Sequence, residues 1–470
     1  MSSPQSVVEN LIARRAFLRG AGSAGLGTLA FNQLFQRDAT AAARDPNLPV
    51  LGHIAPTAKS VIFLHMVGAP SHVDLFDPKP KLKDFHGKPA PAEFVEGKRF
   101  AFLRGHPKMM ASPYEFESLN EGQEISELLP HLKTVAGEIA IVRSMKSDEF
   151  NHAPAQMFMH SGLNRIGRPS MGSWVTYGLG SECNDLPAYV VMISGGIPGG
   201  GSSLWDTGFL PSVFQGVEFR SQGDPVLFLS NPEGVDRSRR RRILDGINRL
   251  NATELENTGD PEIRTRMAQY ELAFKMQMSV PELTDVSSEP DAVREMYGEG
   301  DFAGQCLQAR RLVERGVRFV ELYDSTWDHH KQLDKKLREK CKQTDQPVAA
   351  LIKDLKMRGL LDDTLVVWGS EFGRTPMIQG DKIEGAGRDH HKDAFSIWMA
   401  GGGVRGGISH GQTDEFGFEV TRDPVQFRDL HATILHALGI DHERVTFRFQ
   451  GLDQKLTGTE EAAVQTSLFT

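Results

Sequence analysis

Cysteine is scarce: Cys183, Cys306 and Cys341 are the only three in 470 residues, too few and too widely spaced for a thiolate metal cage or a disulfide framework. They leave open one disulfide or three buried thiols. Long apolar runs are also missing. Beyond the amino-terminal region no stretch offers 18 consecutive apolar residues, so no transmembrane helix is expected in the mature chain. Positive charge is not in excess, since 53 Lys and Arg against 61 Asp and Glu give a net charge of -8, which argues against a nucleic-acid partner. Glycines 401–403, 406 and 407 lead to no Gly-Lys-Ser or Gly-Lys-Thr ending, and no dinucleotide fingerprint follows the first strand signal. ATP and nicotinamide chemistry therefore lack their usual cradle. No linker rich in Pro, Gly and Ser interrupts the chain, which favours one domain with insertions.

What is present starts with Arg14-Arg15-Ala16-Phe17-Leu18, then the weakly apolar, glycine-rich run 20–31 and the small residues Ala41-Ala42-Ala43. This order resembles a bacterial twin-arginine export signal, so residues 1–43 are expected to be removed and the protein to be periplasmic or secreted. The partner implied is the twin-arginine export machinery. Residues 44–455 then form a single α/β domain with a loop-rich insertion near 200–235, and 456–470 a carboxy-terminal tail.

Five short apolar runs, each followed by a polar loop, read as strands covered on both faces: Ser60–Leu64, Ile139–Arg143, Ala188–Ile193, Val317–Leu322 and Leu365–Trp368. Helical signals fill the gaps. Val348, Leu351, Ile352 and Leu355 share one helical face between Pro347 and Gly359, and Asp429–Leu438 precedes another glycine stop. Arg264–Met278 reads as a long surface helix, and the basic run Arg237–Arg242 as a solvated face. The pattern predicts a three-layer α/β/α sandwich around a large, mostly parallel sheet.

Chemistry concentrates in two echoing clusters, Trp327-Asp328-His329-His330 and Arg388-Asp389-His390-His391, with an apolar run between them that leads to Glu371. A parallel sheet gathers such segment ends at one edge, where oxygen and nitrogen ligands suit one or two divalent ions: zinc, calcium or manganese. Adjacent histidines point in different directions, so one of each pair is the easy ligand, and the other can orient a carboxylate or substrate. Asp389 is placed to hold the other ring nitrogen of His390 or His391. Arg374, three residues after Glu371, would meet an anionic ester or fix the loop as an ion pair. After the Ile139 strand, Ser147, Asp148, Asn151 and His152 would face the sheet edge if Asn151 starts or caps a helix, where an oxyanion meets helix amides and an imidazole. A capped helix with a structural Asn is the alternative.

Six separated motifs carry a resemblance over nearly all of residues 55–450: Gly68-Ala69-Pro70-Ser71-His72-Val73-Asp74 with Phe76–Pro80, Asn151-His152-Ala153-Pro154-Ala155 with Gly162, Leu204-Trp205 through Leu210-Pro211, Trp327-Asp328-His329, Glu371–Pro376, and Gly387-Arg388-Asp389-His390. In this order they resemble the family of exported bacterial proteins called domain of unknown function 1501, and more distantly the alkaline phosphatase and sulfatase superfamily. The resemblance implies an alkaline phosphatase-like fold. It makes Ser147 the nearest candidate for a nucleophilic hydroxyl, with Asp148 as the rival occupant of that position. Two departures stand out. The superfamily's Ser-Asp-His-Gly is Ser370-Glu371-Phe372-Gly373 here, and Phe372 cannot ligate. One ion in place of two, or recruitment of His72 or Asp74, would follow. No sulfatase-type cysteine context is present. The function implied is an exported metal-dependent hydrolase of phosphate or sulfate esters, its substrate an anionic ester or glycan. The alternative is an exported structural or carbohydrate-binding protein on the same scaffold without turnover.

Overall fold

Strands covered by helices on both faces carry buried side chains at every position, and Ser60–Met66 (β1) is buried at all seven. The computed structural model describes residues 52–469 apart from 222, 228 and 381; the twin-arginine segment, residues 1–43, lies outside the described residues. Eight further strands join β1 in one sheet: Ile139–Lys146 (β2), Tyr189–Ser194 (β3), Val217–Phe219 (β4), Phe319–Asp324 (β5), Thr364–Gly369 (β6), Phe395–Ala400 (β7), Ile408–His410 (β8) and Val425–Gln426 (β9). The spatial order is β8-β2-β7-β6-β1-β5-β3-β4, with β9 also paired to β2. All pairings are parallel except those of β7, which runs antiparallel to both β2 and β6. The five strands predicted from apolar runs are all present.

The principal helices are His152–Ser161 (α1), Met171–Leu179 (α2), Arg237–Thr258 (α3), Pro261–Thr284 (α4), Asp301–Glu314 (α5), Leu333–Met357 (α6) and Phe427–Ala437 (α7). Because side chains alternate across a strand, the sheet feeds two cores. Ile62, Leu64, Leu322, Val366 and Trp368 pack with Cys306, Leu312, Leu337 and Leu351 of α5 and α6. Val61, Phe63, Phe319, Leu365 and Val367 pack with Met159, Trp174, Leu430 and Ile434 of α1, α2 and α7. The result is the expected three-layer α/β/α sandwich.

Helix α6 departs from the sequence reading, in which Pro347 stood near its start. It begins at Leu333 and carries Pro347 inside. Leu333, Leu337, Cys341 and Thr344 extend the buried face by three turns, and burial of that row offsets the roughly 3 kcal/mol cost of an interior proline. The basic run opens α3, where only Leu244 is buried and Arg241 pairs with Asp245 and with Glu271 of α4. Between 200 and 219 the chain makes single 3-10 turns whose Leu204, Trp205 and Phe214 join the α2-side core. Past 455, Leu456 and Leu468 are buried, and the backbone of Ala463 and Gln465 donates to Asp429 and Thr433 of α7. All three cysteines are free thiols. Among the described residues no helix is long and apolar enough to cross a membrane.

A single turn after β1, His72–Leu75, holds two buried polar residues. Asp74 accepts two bonds from Arg388, Nε to Oδ2 at 2.7 Å and Nη2 to Oδ1 at 3.1 Å, with both residues fully buried. Burial would raise the Asp74 pKa, but the guanidinium outweighs it and holds the carboxyl below its usual range. His72 donates from Nε2 to the Gly417 carbonyl at 2.9 Å, and burial lowers its pKa to about 4 against a partial offset from Asp77.

Two outcomes are expected. Asp74→Asn leaves Arg388 charged and unpaired in the core, so chemical denaturation should show a loss of about 3–5 kcal/mol; a loss below about 1 kcal/mol would contradict the pairing. His72 is neutral when folded and titrates near 6.5 when unfolded, so its contribution is complete above pH 6.5 and declines as pH falls toward 4. At pH 5 the decline is about 2 kcal/mol. His72→Gln should therefore melt with a shallower dependence on pH between 7 and 5 than the wild type, and equal slopes would refute this assignment.

Candidate metal centre

Strand direction decides which residues can meet. β1, β2, β5 and β6 all end at one edge of the sheet, and antiparallel β7 begins there. Loops that leave the first four strands and the segment that enters the fifth consequently converge. His152, after β2, is the first residue of α1. Asp328 and His330 follow β5. His390 precedes β7 in a short antiparallel pair with Arg374. Gly68, after β1, has φ +113°, and a Cβ there would stand 2.5 Å from the Asp328 nitrogen. Only glycine lets the two loops touch at that point.

His152, Asp328, His330 and His390 each offer one ligand atom, and the four atoms lie within 4.8 Å of one another. Asp328 Oδ1 is 2.8 Å from His330 Nε2 and 3.4 Å from the Nε2 atoms of His152 and His390. Each ring is held from behind through Nδ1. His152 donates to Glu371 Oε1 at 2.6 Å, His330 to Gln379 Oε1 at 2.5 Å, and His390 to the Phe150 carbonyl at 2.7 Å. A hydrogen fixed on Nδ1 leaves the Nε2 lone pair free to face inward, which is how proteins orient imidazole ligands. His152 Nε2 is buried without a hydrogen-bond partner. An orphaned ring nitrogen aimed at a carboxylate and two more imidazoles fits a borderline divalent ion.

The electrostatics agree. Burial would raise the Asp328 pKa, but the close approach of His152, His330 and His390 and the charge of Arg374 hold it far below the carboxylate range. Burial lowers the His152 pKa, yet the carboxylates of Asp328 and Glu371 beside it prevail and lift it to about 9. His390 is lowered, chiefly by burial. Solvent reaches the centre from one side: the side chains of Asp328, His152 and His330 are 41%, 25% and 22% exposed, that of His390 only 3%.

Of the residues singled out in the sequence, these four meet. Glu371 stands behind them, fully buried and accepting from five donors: His65 Nε2, Gly68 N, His152 Nδ1, Gln156 Nε2 and Ser370 Oγ. It is a support for His152, not a ligand. Arg374 is equally buried, and its three nitrogens donate to the carbonyls of Ala69, Arg388 and Gly68 and to Asp328 Oδ1. It braces Asp328 and faces no open space. His329 turns away to donate to the Thr326 carbonyl at 3.0 Å, and burial lowers its pKa to about 4. His391 donates to Phe418 O at 2.6 Å and stacks on that ring. His72 and Asp74 lie in the buried contacts described above, outside the cluster. Ser147 is buried, its Oγ accepting from the Glu149 nitrogen, while Asp148 is exposed beside Arg428. Asn151 occupies the N-cap position of α1 without a side-chain bond. Asp389 holds backbone, the nitrogens of Phe102, Leu103 and His390, where an imidazole partner was expected.

Sequence reasoning missed Gln156, Gln379, His65 and Phe102. The Phe102 ring, 54% exposed, meets His330 and His390 edge-on at 4.9 and 5.5 Å. Phe372, where an imidazole was noted as absent, is wedged against His152 and His390 at 5.0 and 4.7 Å.

Among solved structures, similar ones include the lipoteichoic acid synthase LtaP from Listeria monocytogenes, 10% identical, covering 87% of this chain and 78% of that one with a TM-score of 0.36. The PsFucS1 sulfatase from Pseudoalteromonas sp. is 13% identical over 87% of this chain and 75% of that one, TM-score 0.36. The alkaline phosphatase from the Antarctic bacterium TAB5 is 11% identical over 76% and 95%, TM-score 0.31. Likeness at these scores carries no chemistry to this chain. No curated protein matches the sequence significantly. A family model described as protein of unknown function, DUF1501, matches residues 58–468. The chain belongs to the DUF1501 family, as its six ordered motifs foretold.

Proposed function

We propose that this protein is an exported, metal-dependent hydrolase of anionic esters, phosphate or sulfate. The observation that carries the reading is the convergence of three imidazole Nε2 atoms, each with its Nδ1 hydrogen committed elsewhere, on the Asp328 carboxylate. Three nitrogens and one oxygen suit zinc or manganese; calcium, which takes six to eight oxygen ligands, is poorly served by this set. One such group occurs among the described residues, so one ion is proposed. A divalent ion held there supplies Lewis acidity to an ester or water oxygen.

The chain's own residues do the rest. Glu371, Gln379 and the Phe150 carbonyl fix the three rings, and Arg374 fixes Asp328. Asp328, His152 and His330 present the open side to substrate. Phe102 offers an exposed aromatic wall beside His330 and His390, a surface on which a sugar ring stacks. Ser147 is turned into its own loop, so attack by water is favoured over attack by a serine hydroxyl. The choice of phosphate or sulfate follows the distant sequence resemblance, and export follows the twin arginines.

A second reading has one observation in its favour. Arg374 is wholly engaged by carbonyls and Asp328, which withdraws the cation expected to meet an ester anion. A carbohydrate-binding protein that holds the ion without turnover would need no such cation.

Elemental analysis of the full chain should find about one equivalent of zinc or manganese. Hydrolysis across a panel of aryl phosphates and sulfates should fall by at least about a hundredfold after chelation and in His390→Ala, given that even residues behind a metal ligand are worth ten- to a hundredfold. Turnover indifferent to both would defeat the hydrolase reading. Glycan binding with no turnover on any ester would establish the second one.

A further inference from the structure

A line of polar side chains without solvent exposure runs from the centre into the layer between the sheet and α1. Glu371 Oε2 accepts from His65 Nε2 at 2.9 Å, and His65 Nδ1 lies 2.6 Å from His160 Nε2. His160 Nδ1 is 2.7 Å from Glu321 Oε1, and Glu321 Oε2 accepts from the Tyr189 hydroxyl at 2.5 Å. None of the five residues is more than 1% exposed. They come from five segments: the loop after β6, β1, α1, β5 and β3. Alternation explains the alignment, for His65 shares a strand face with Val61 and Phe63, and Glu321 shares one with Phe319 and Tyr323. The two imidazoles stack at 4.8 Å and both lie against the Tyr323 ring, at 5.2 and 5.4 Å.

The hydrogens can be followed along the line. Glu371 accepts from five donors, so it is a carboxylate and His65 carries its hydrogen on Nε2. A neutral His65 then accepts at Nδ1. One hydrogen then lies between His65 Nδ1 and His160 Nε2, and another between His160 Nδ1 and Glu321 Oε1. Such a buried pair adds little to stability, because apolar replacements of similar volume are often neutral or stabilising. What it supplies is direction. With Oε2 of Glu371 tied down by His65 and Ser370, Oε1 is aimed at the Nδ1 hydrogen of His152.

We propose that His65, His160 and Glu321 are positioning residues that lock Glu371 and, through it, the Nδ1 hydrogen bond and ring plane of His152. The consequence for metal affinity rests on the reading given under Proposed function; the consequence for the His152 Nδ1 hydrogen bond does not.

The test uses full-length, metal-free protein labelled with [15N]histidine, in which the hydrogen-bonded His152 Nδ1–H signal is assigned by its loss in His152→Gln. His160→Met combined with Glu321→Met removes the pair without stranding a charge. The double variant should remain folded yet lose or broaden the His152 signal, and calorimetry should show zinc affinity about ten- to a hundredfold weaker. A folded double variant with an unchanged His152 signal overturns the proposal. His65→Leu and His65→Gln provide a second comparison if the double variant does not fold. Glutamine can both donate to Glu371 and accept from His160, so it should keep the signal that leucine loses, and equal spectra for the two overturn the proposal. If wild type and Asp328→Asn are alike in taking up no zinc, the metal reading fails while the His152 spectra still decide this inference.

Discussion

A carboxylate sealed from water must find a donor for every lone pair, and Glu371 is the place where this requirement organises the molecule. Its five donors come from β1, the loop after β1, α1 and its own neighbour Ser370. No one of those segments can shift without leaving a buried charge short of a partner. His152 sits between this sealed carboxylate and the half-exposed one of Asp328. With the three imidazoles neutral, Glu371, Asp328 and Arg374 sum to one negative charge. In the metal-free protein a proton on His152 balances it, which is the physical content of a pKa lifted to about 9.

Presentation of Asp328 relies on backbone that is itself unusual. Thr326 has φ +77°, a conformation that costs a β-branched residue on the order of 1–3 kcal/mol. The turn is held by its surroundings. His329 donates to the Thr326 carbonyl, Trp327 Nε1 and Lys340 Nζ both meet Asp324 at 2.8 and 2.6 Å, and Gly68 admits the loop against β1. His329, the member of the pair that stays out of the cluster, thus supports the turn that presents Asp328.

Much of the scaffold was legible because apolar runs of four to six residues between polar turns have few other readings. The edge at which the site forms was legible for the same reason, since loops after parallel strands gather there. Within the clusters, legibility stopped at the rotation of single residues. His329 and His330, or His390 and His391, are adjacent and chemically identical, and only the completed turn and hairpin decide which ring faces inward. Arg374 and Glu371 were read as working groups because their charges are visible in sequence and their burial is not. Gln379 and Gln156 gave no local signal, because an amide takes its role from the neighbour it meets. His65 did leave a trace: it is an imidazole inside Phe63-Leu64-His65-Met66, where a fully covered strand has no cheap place for one. Pro347 misled in the opposite direction, marking a helix start where burial of a long face overrode it.

The reversed direction of β7 has a consequence for how the chain is made. β7 lies between β2 and β6, so until residues 395–400 emerge the β2 edge has no hydrogen-bonded link to the strands around β1. Sheet assembly during synthesis therefore waits on a strand that appears late. The segment just ahead of β7 carries His390, so the same docking event that welds the two sheet fragments also delivers the last imidazole to the cluster.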